Sequence, residues 1–201
     1  METRLVGKHW LPTALAALAT AIELGADPDR AVAVAGDVEP DLGHLSVFEA
    51  PSGATFLNDV WKGSAHTVEP ALDILDRADQ GRRIAVLGFL NHGAPSDEQR
   101  YAEAIRAARG RADLVVLVGP AAEHGRDAVE DADGSIVAFG TVGEAAQFLR
   151  QTAGPGDLIL LKSKSAFHLE RVALAQTGDV TCERVICRLP INCARCRLLR
   201  A

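Results

Sequence analysis

Four short apolar runs constrain this chain more than any other feature: "RIAVLGFL" (83–90), "DLVVLVG" (113–119), "SIVAFG" (135–140) and "DLILLKS" (157–163). Each is rich in Val, Ile or Leu and lacks the polar alternation of a half-exposed strand. A strand can be apolar on both sides only if both of its faces are covered, and in a parallel sheet helices do the covering. The segments between supply them. Residues 67–78, 96–109, 142–152 and 166–175 read as helices, the second opened by Ser96-Asp97-Glu98, whose oxygens suit a helix N-terminus. Strands and helices alternating over about 120 residues predict a mostly parallel, doubly wound α/β sheet. Upstream, "LSVFEA" (45–50) and "ATFLND" (54–59) flank Pro-Ser-Gly and read as a hairpin. Residues 9–24 and 27–36 read as two helices, with Pro12 in the first turn and Gly25 at a cap.

Ligands of such sheets sit at the carboxyl ends of the strands. Those ends are Asp59, Gly88-Phe89, Gly119-Pro120, Gly140-Thr141 and Lys162-Ser163. The stretch "LNDVWKGSAHTVEPALDIL" (57–75) is chemically the richest, with Asn58, Asp59, Trp61, Lys62, Ser64 and His66 around one turn. It also has the plainer reading of a well-capped helix entry. The segment "GPAAEHGRD" (119–127) follows a strand, but its glycines are spaced G-x5-G and Arg126 stands where a phosphate loop needs Lys. The sequence holds no G-x-G-x-x-G either. His44, His66, His92, His124 and His168 are scattered and read as surface or capping residues. No Ser–His–Asp order or HExxH spacing supports hydrolase chemistry.

The formal net charge of −6 gives the chain no pull toward nucleic acid or anionic membranes. No run reaches the 18 or more apolar residues of a membrane span. The opening "METRLVGKHWLPTALAALATAIELG" has the basic and apolar order of a secretory signal, yet it runs on into a plausible helix end at Ile22-Glu23-Leu24-Gly25. A cytoplasmic protein is expected. The last twenty residues differ from the rest: Arg184, Arg188, Arg195, Arg197 and Arg200 face only Glu183, and all four cysteines lie there. Cys182, Cys187, Cys193 and Cys196 span fifteen residues and could close a tetrahedral zinc site. The alternatives are the reduced thiols of a terminal tail, or disulfides in an exported protein.

The stretch "GHLSVFEAPSGATFLNDVWKGSAHTVEPALDIL" resembles the start of the C-terminal domain of Mur ligases. It is most similar to the UDP-N-acetylmuramoyl-tripeptide–D-alanyl-D-alanine ligase branch, which reads G-R-x8-G-x3-I-N-D-x-Y-N-A-N-P. "GKHWLPTALAALATAIELG" resembles the family's G-x-H-N-x-x-N-A-L-A-A helix at the end of its central domain. "GRRIAVLGFL" and "GDLILLKSKSAFHLERV" resemble its later strands. The resemblance covers about residues 5–175. It implies a helical remnant of the central domain (1–42), a Rossmann-like domain (43–178) and a Cys/Arg-rich tail (179–201).

The activity so implied is ATP-dependent: a carboxylate is phosphorylated and an incoming amine attacks the acyl phosphate. On that resemblance His9, Asn58, Asp59 and Trp61 would face the nucleotide, Lys162 the amino-acid or peptide substrate, and ATP with magnesium would be the cofactors. Several positions depart from the pattern. His44 replaces the opening Arg, and Trp10 and Thr13 replace Asn. Lys62, Ser64 and Ala65 replace Asn, Asn and Pro, while Ser163, Lys164 and Ser165 replace Gly-Ser-Arg. With no phosphate loop, the chain is expected to be inactive alone, and either to need a separate P-loop-containing chain or to be cut from a longer parent. The alternatives are a pseudoenzyme, binding a partner or small molecule without catalysis and stabilised by zinc in its tail, and an unrelated activity on the same fold.

Overall fold

The computed structural model describes residues 2–77, 81–94, 96–130 and 134–200. Among them six strands form one sheet: β1 (Ser46–Glu49), β2 (Thr55–Asp59), β3 (Arg83–Leu87), β4 (Leu114–Val118), β5 (Ile136–Phe139) and β6 (Leu158–Lys162). Their spatial order is β1-β2-β6-β3-β4-β5. β1 pairs antiparallel with β2 as the expected hairpin, and every other pairing is parallel. The helices are α1 (Leu11–Glu23), α2 (Pro28–Gly36), α3 (Val68–Leu75), α4 (Asp97–Arg109), α5 (Pro120–His124), α6 (Arg126–Glu130), α7 (Val142–Thr152) and α8 (Arg171–Leu174).

The apolar runs are buried on both faces, as their composition requires; all five residues of β4 are buried. Ile84, Val86, Val116, Val118, Ile159 and Leu161 point to one side, where Val142, Ala145 and Leu149 of α7 and Val172 of α8 cover them. Ala85, Leu87, Val115, Leu117 and Leu160 point to the other, beneath Val68, Leu72 and Leu75 of α3 and Tyr101, Ile105 and Ala108 of α4. The Tyr101 hydroxyl is buried in this layer and accepts the Leu90 amide proton at 3.0 Å.

Three elements differ from the sequence reading. The helix expected over 67–78 begins as a 3-10 turn at Ala65–Thr67 and continues as α3 to Leu75, and Ala78 lies outside the described residues. The segment after Gly119 forms two five-residue helices, α5 and α6. Gly125 joins them, and a Cβ there would lie 2.4 Å from Leu117 Cδ1, so this glycine serves close packing. The helix expected over 166–175 is broken. A 3-10 turn at Ser165–Phe167 ends at His168, whose left-handed backbone (φ 52°, ψ 49°) cannot continue a right-handed helix. α8 then restarts at Arg171.

α1 and α2 stand apart from the core. Neither contains a buried residue, and Leu11, Leu15, Ile22, Val32 and Val34 are exposed. Beside them Val6 packs against the α3 layer, and after α2 the Gly43 carbonyl accepts the Val60 and Trp61 N–H groups at 3.0 and 3.1 Å. No helix among the described residues is long and apolar enough to cross a membrane.

Candidate functional site

Parallel register brings the carboxyl ends of neighbouring strands level. Asp59 closes β2 directly opposite Lys162, which closes β6. Lys162 Nζ donates to Asp59 Oδ2 at 2.6 Å and to the Lys62 carbonyl at 2.8 Å. The Lys162 side chain is wholly enclosed, while 14% of the Asp59 side chain remains exposed. Burial pushes the Lys162 amine below its ordinary range, and the Asp59 carboxylate beside it offsets part of that shift. Asp59 therefore presents the accessible edge of the pair, backed by a buried cation.

Backbone bonds lace three strand-end loops around this pair. Asn91 N–H donates to the Gly63 carbonyl at 2.7 Å, Lys164 N–H to Phe89 at 2.8 Å, and Ser165 N–H to Trp61 at 3.3 Å. Buried Ser163 adds its hydroxyl, which accepts the Phe89 N–H at 3.0 Å. Gly63 sits where the loops meet. A Cβ there would lie 2.6 Å from the Phe89 carbonyl oxygen and 2.7 Å from the Lys164 nitrogen. Both contacts are backbone, so the loops would have to part. Gly63→Ala is expected to cost about 2 kcal/mol in a urea melt; an unchanged midpoint would show that the loops yield freely.

The other residues singled out in the sequence fall at different places. Asn58 alternates to the α7 and α8 side of the sheet, where its Oδ1 is buried without a hydrogen-bond partner among the described residues. Trp61 packs on His44 with ring centroids 5.8 Å apart. Lys164 lies over the Phe89 ring, its amine 5.8 Å from the centroid. His9 folds back on Gly7, which packs against Ile74 in the last turn of α3, whereas the Asp59 turn leads into the first. The structure thus brings together Asp59, Trp61, Lys62 and Lys162 and sets His9 by the far end of α3.

Cys182, Cys187, Cys193 and Cys196 are free thiols that line one small cavity. Sequence reasoning missed what they gather around. His168, read as a surface or capping residue, is 5% exposed and lines the same cavity. Glu170 beside it is 4% exposed. Buried Arg171 ties the tail down: Nε donates to the His168 carbonyl, Nη1 to Cys182, and Nη2 to Phe167 and Arg184. Burial, and then the Glu170 carboxylate, push the Cys193 thiol well above its ordinary range. The signal available in the sequence was only a histidine and an acid just upstream of a cysteine cluster.

Comparison with known proteins places this arrangement. The model of the Mur ligase, glutamate ligase domain matches residues 45–165. UDP-N-acetylmuramoyl-tripeptide–D-alanyl-D-alanine ligases of Mycobacterium bovis and Mycobacterium tuberculosis are 30% identical in a 220-residue alignment, which covers 92% of this chain and 41% of theirs. The chain thus spans about two-fifths of the length of these curated relatives, and the match takes in most of the α1–α2 segment. Among solved structures, MurF from Acinetobacter baumannii superposes with a TM-score of 0.74 at 24% identity, covering 86% of this chain and 39% of that one. The MurF ligase of Thermotoga maritima, solved in complex with ADP, superposes at 0.70 with 20% identity, over 85% of this chain and 38% of that one. The family match, spanning more than half of the chain and the whole strand-end site, shows that this protein belongs to the Mur ligase family through its glutamate ligase domain.

Proposed function

We propose that this chain is the amine-presenting lobe of an ATP-dependent carboxylate–amine ligase of the Mur type, working with an ATP-binding unit outside these 201 residues. The observation that carries the reading is the strand-end platform of a Mur ligase domain. There the partly exposed Asp59 carboxylate is fixed by Lys162, and three loops are locked together around it. In such a reaction the carboxylate is first converted to an acyl phosphate. The incoming amine then forms the C–N bond as phosphate leaves. The contribution of this chain is orientation: Asp59 offers an acceptor to an N–H of the incoming amine, whose surplus proton leaves to solvent or to the departing phosphate, and the rigid loops hold it without a reorganisation cost. D-alanyl-D-alanine, from the names of the relatives, is the amine substrate to try first.

The residues present do not fit a triphosphate. The glycine-spaced turn at Gly119 enters a five-residue helix, and the space at its second glycine is filled by Leu117 and Ile105. Among the described residues Asp59 belongs to no group of three metal-ligating side chains that would build a magnesium shell. His44, which stands where the family pattern resembled by this stretch has Arg, packs on Trp61 and lacks the guanidinium fork that grips phosphate. ATP and magnesium are therefore assigned to a separate P-loop unit. The exposed apolar faces of α1 and α2 suit that contact, because the match to the ligases extends over this segment. The need for ATP suits a cytoplasmic setting.

The isolated chain is expected to release phosphate from ATP at the background rate, measured with magnesium and D-alanyl-D-alanine present. Turnover clearly above background would overturn the division of labour. The loss of the cation at position 44 also favours a second reading, a pseudoenzyme that binds without catalysis. Addition of an ATP-binding Mur subunit distinguishes the two: ligation restored supports the first, and binding without product supports the second.

A further inference from the structure

Independently of the ligase reading, we propose that the C-terminal segment closes around a single zinc ion, bound by His168 Nε2 together with three thiolates drawn from Cys182, Cys187, Cys193 and Cys196, with Cys193 and Cys196 among them. The four cysteines and His168 line one cavity of about 20 Å³, room for roughly one small occupant. Around them Leu189, Ile191 and Leu198 form an apolar wall. An imidazole nitrogen left unpaired against such a wall carries a desolvation cost that a bound ligand would remove. His168 Nε2 is buried with no partner among the described residues, in a side chain 6% exposed.

Its other nitrogen is already engaged. Nδ1 lies 2.9 Å from Glu170 Oε1, and that same oxygen accepts the Cys193 N–H at 3.0 Å. A carboxylate on one imidazole nitrogen fixes the tautomer and leaves the other free to bind metal, the arrangement common behind zinc-bound histidines. Ligand atoms of His168, Glu170 and Cys193 all lie within 4.8 Å of one another. Bonds of about 2.0–2.3 Å in a tetrahedron put ligands roughly 3.3–3.8 Å apart, so His168 and Cys193 need only a modest contraction, while the remaining thiols must close in further on binding. The left-handed backbone of His168 aims the ring at the cost of about 1 kcal/mol.

The chemistry selects the metal class. Thiolates with imidazole in a closed, four-coordinate cavity suit zinc rather than calcium or magnesium, which take oxygen ligands. Cys193 and Cys196 have the close spacing of a zinc knuckle, and the Cys196 N–H donates to the Cys193 carbonyl at 3.0 Å. Arg171 fixes the Cys182 carbonyl, and Cys187 N–H bonds to the Ala166 carbonyl at 2.9 Å, so separate parts of the tail converge on His168. The tail also forms one wall of a cleft of about 480 Å³ against the start of α7, and the ion would hold that wall in place.

The test uses the full chain purified under reducing conditions without added metal. About one zinc per chain is expected by elemental analysis. Cobalt(II) exchanged into the protein is expected to show tetrahedral visible bands and thiolate-to-metal charge transfer. His168→Gln is expected to weaken zinc binding at least tenfold in a chelator competition. Cys196→Ser, at a half-buried position, is expected to diminish the charge-transfer band, and it serves if the histidine variant does not fold. Four freely titratable thiols with no zinc taken up on titration would overturn the proposal, as would cysteines recovered as disulfides. Unchanged affinity in a folded His168→Gln variant would overturn the assignment of His168.

Discussion

Replacing Asp59 with alanine is expected to destabilise the fold by about 3–5 kcal/mol, because it leaves the wholly enclosed Lys162 ammonium without its anion. The effect should be pH-dependent. Burial already lowers the Lys162 pKa from 10.5, and losing Asp59 lowers it further. Between that lowered value and 10.5 the unfolded chain binds more protons than the folded one, so the variant regains stability as pH rises through this window. Urea melts at neutral and alkaline pH measure both quantities. The double variant Asp59→Ala/Lys162→Met is expected to return to within about 1 kcal/mol of the parent, because an apolar side chain of similar length needs no counter-ion. A loss under about 1 kcal/mol in Asp59→Ala would mean that the buried amine is neutral or finds water. Ligand binding by the single variant is uninterpretable without its stability, so the double variant is the proper background for binding studies.

Arg171→Ala is expected to cost about 3 kcal/mol or more, because four carbonyls lose a shared, charged donor in a largely buried setting. Two of these, from Cys182 and Arg184, belong to the tail. Limited proteolysis should therefore cut the variant first near residues 178–185 while the sheet domain persists. Arg171→Lys should recover only part of the loss, because a single ammonium cannot span the carbonyls that a guanidinium fork reaches. A tail as protected in Arg171→Ala as in the parent would show that other contacts hold it.

These two effects also mark where the sequence was legible. The sheet could be read because buried parallel strands must be apolar on both faces, and "DLVVLVG" has no other economical interpretation. The hairpin followed from Pro-Ser-Gly between two strand-like runs. α5 and α6 could not be read, since five-residue helices lie far below the length at which local propensity decides, and tertiary packing at Gly125 forms them. The break at His168 was equally hidden, because nothing in "SAFHLERV" marks the one left-handed residue that interrupts the helical pattern. Asp59 and Lys162 each stood out at a strand end, but only the register, across 103 positions of sequence, makes them partners. The cysteines announced a cluster through their spacing. What completes it, a histidine and a glutamate upstream of the tail, shows only once the chain has folded back.

The central claim is that this chain presents an amine at the ends of β2, β3 and β6 while the triphosphate is held elsewhere. Backbone-amide NMR during separate titrations with D-alanyl-D-alanine and with magnesium-ATP tests it most directly. The account predicts saturable dipeptide shifts confined to residues 58–66, 88–93 and 162–165, with only weak, non-saturating changes from ATP. Dipeptide shifts centred on another face of the sheet, or tight saturable ATP binding to this chain alone, would contradict it.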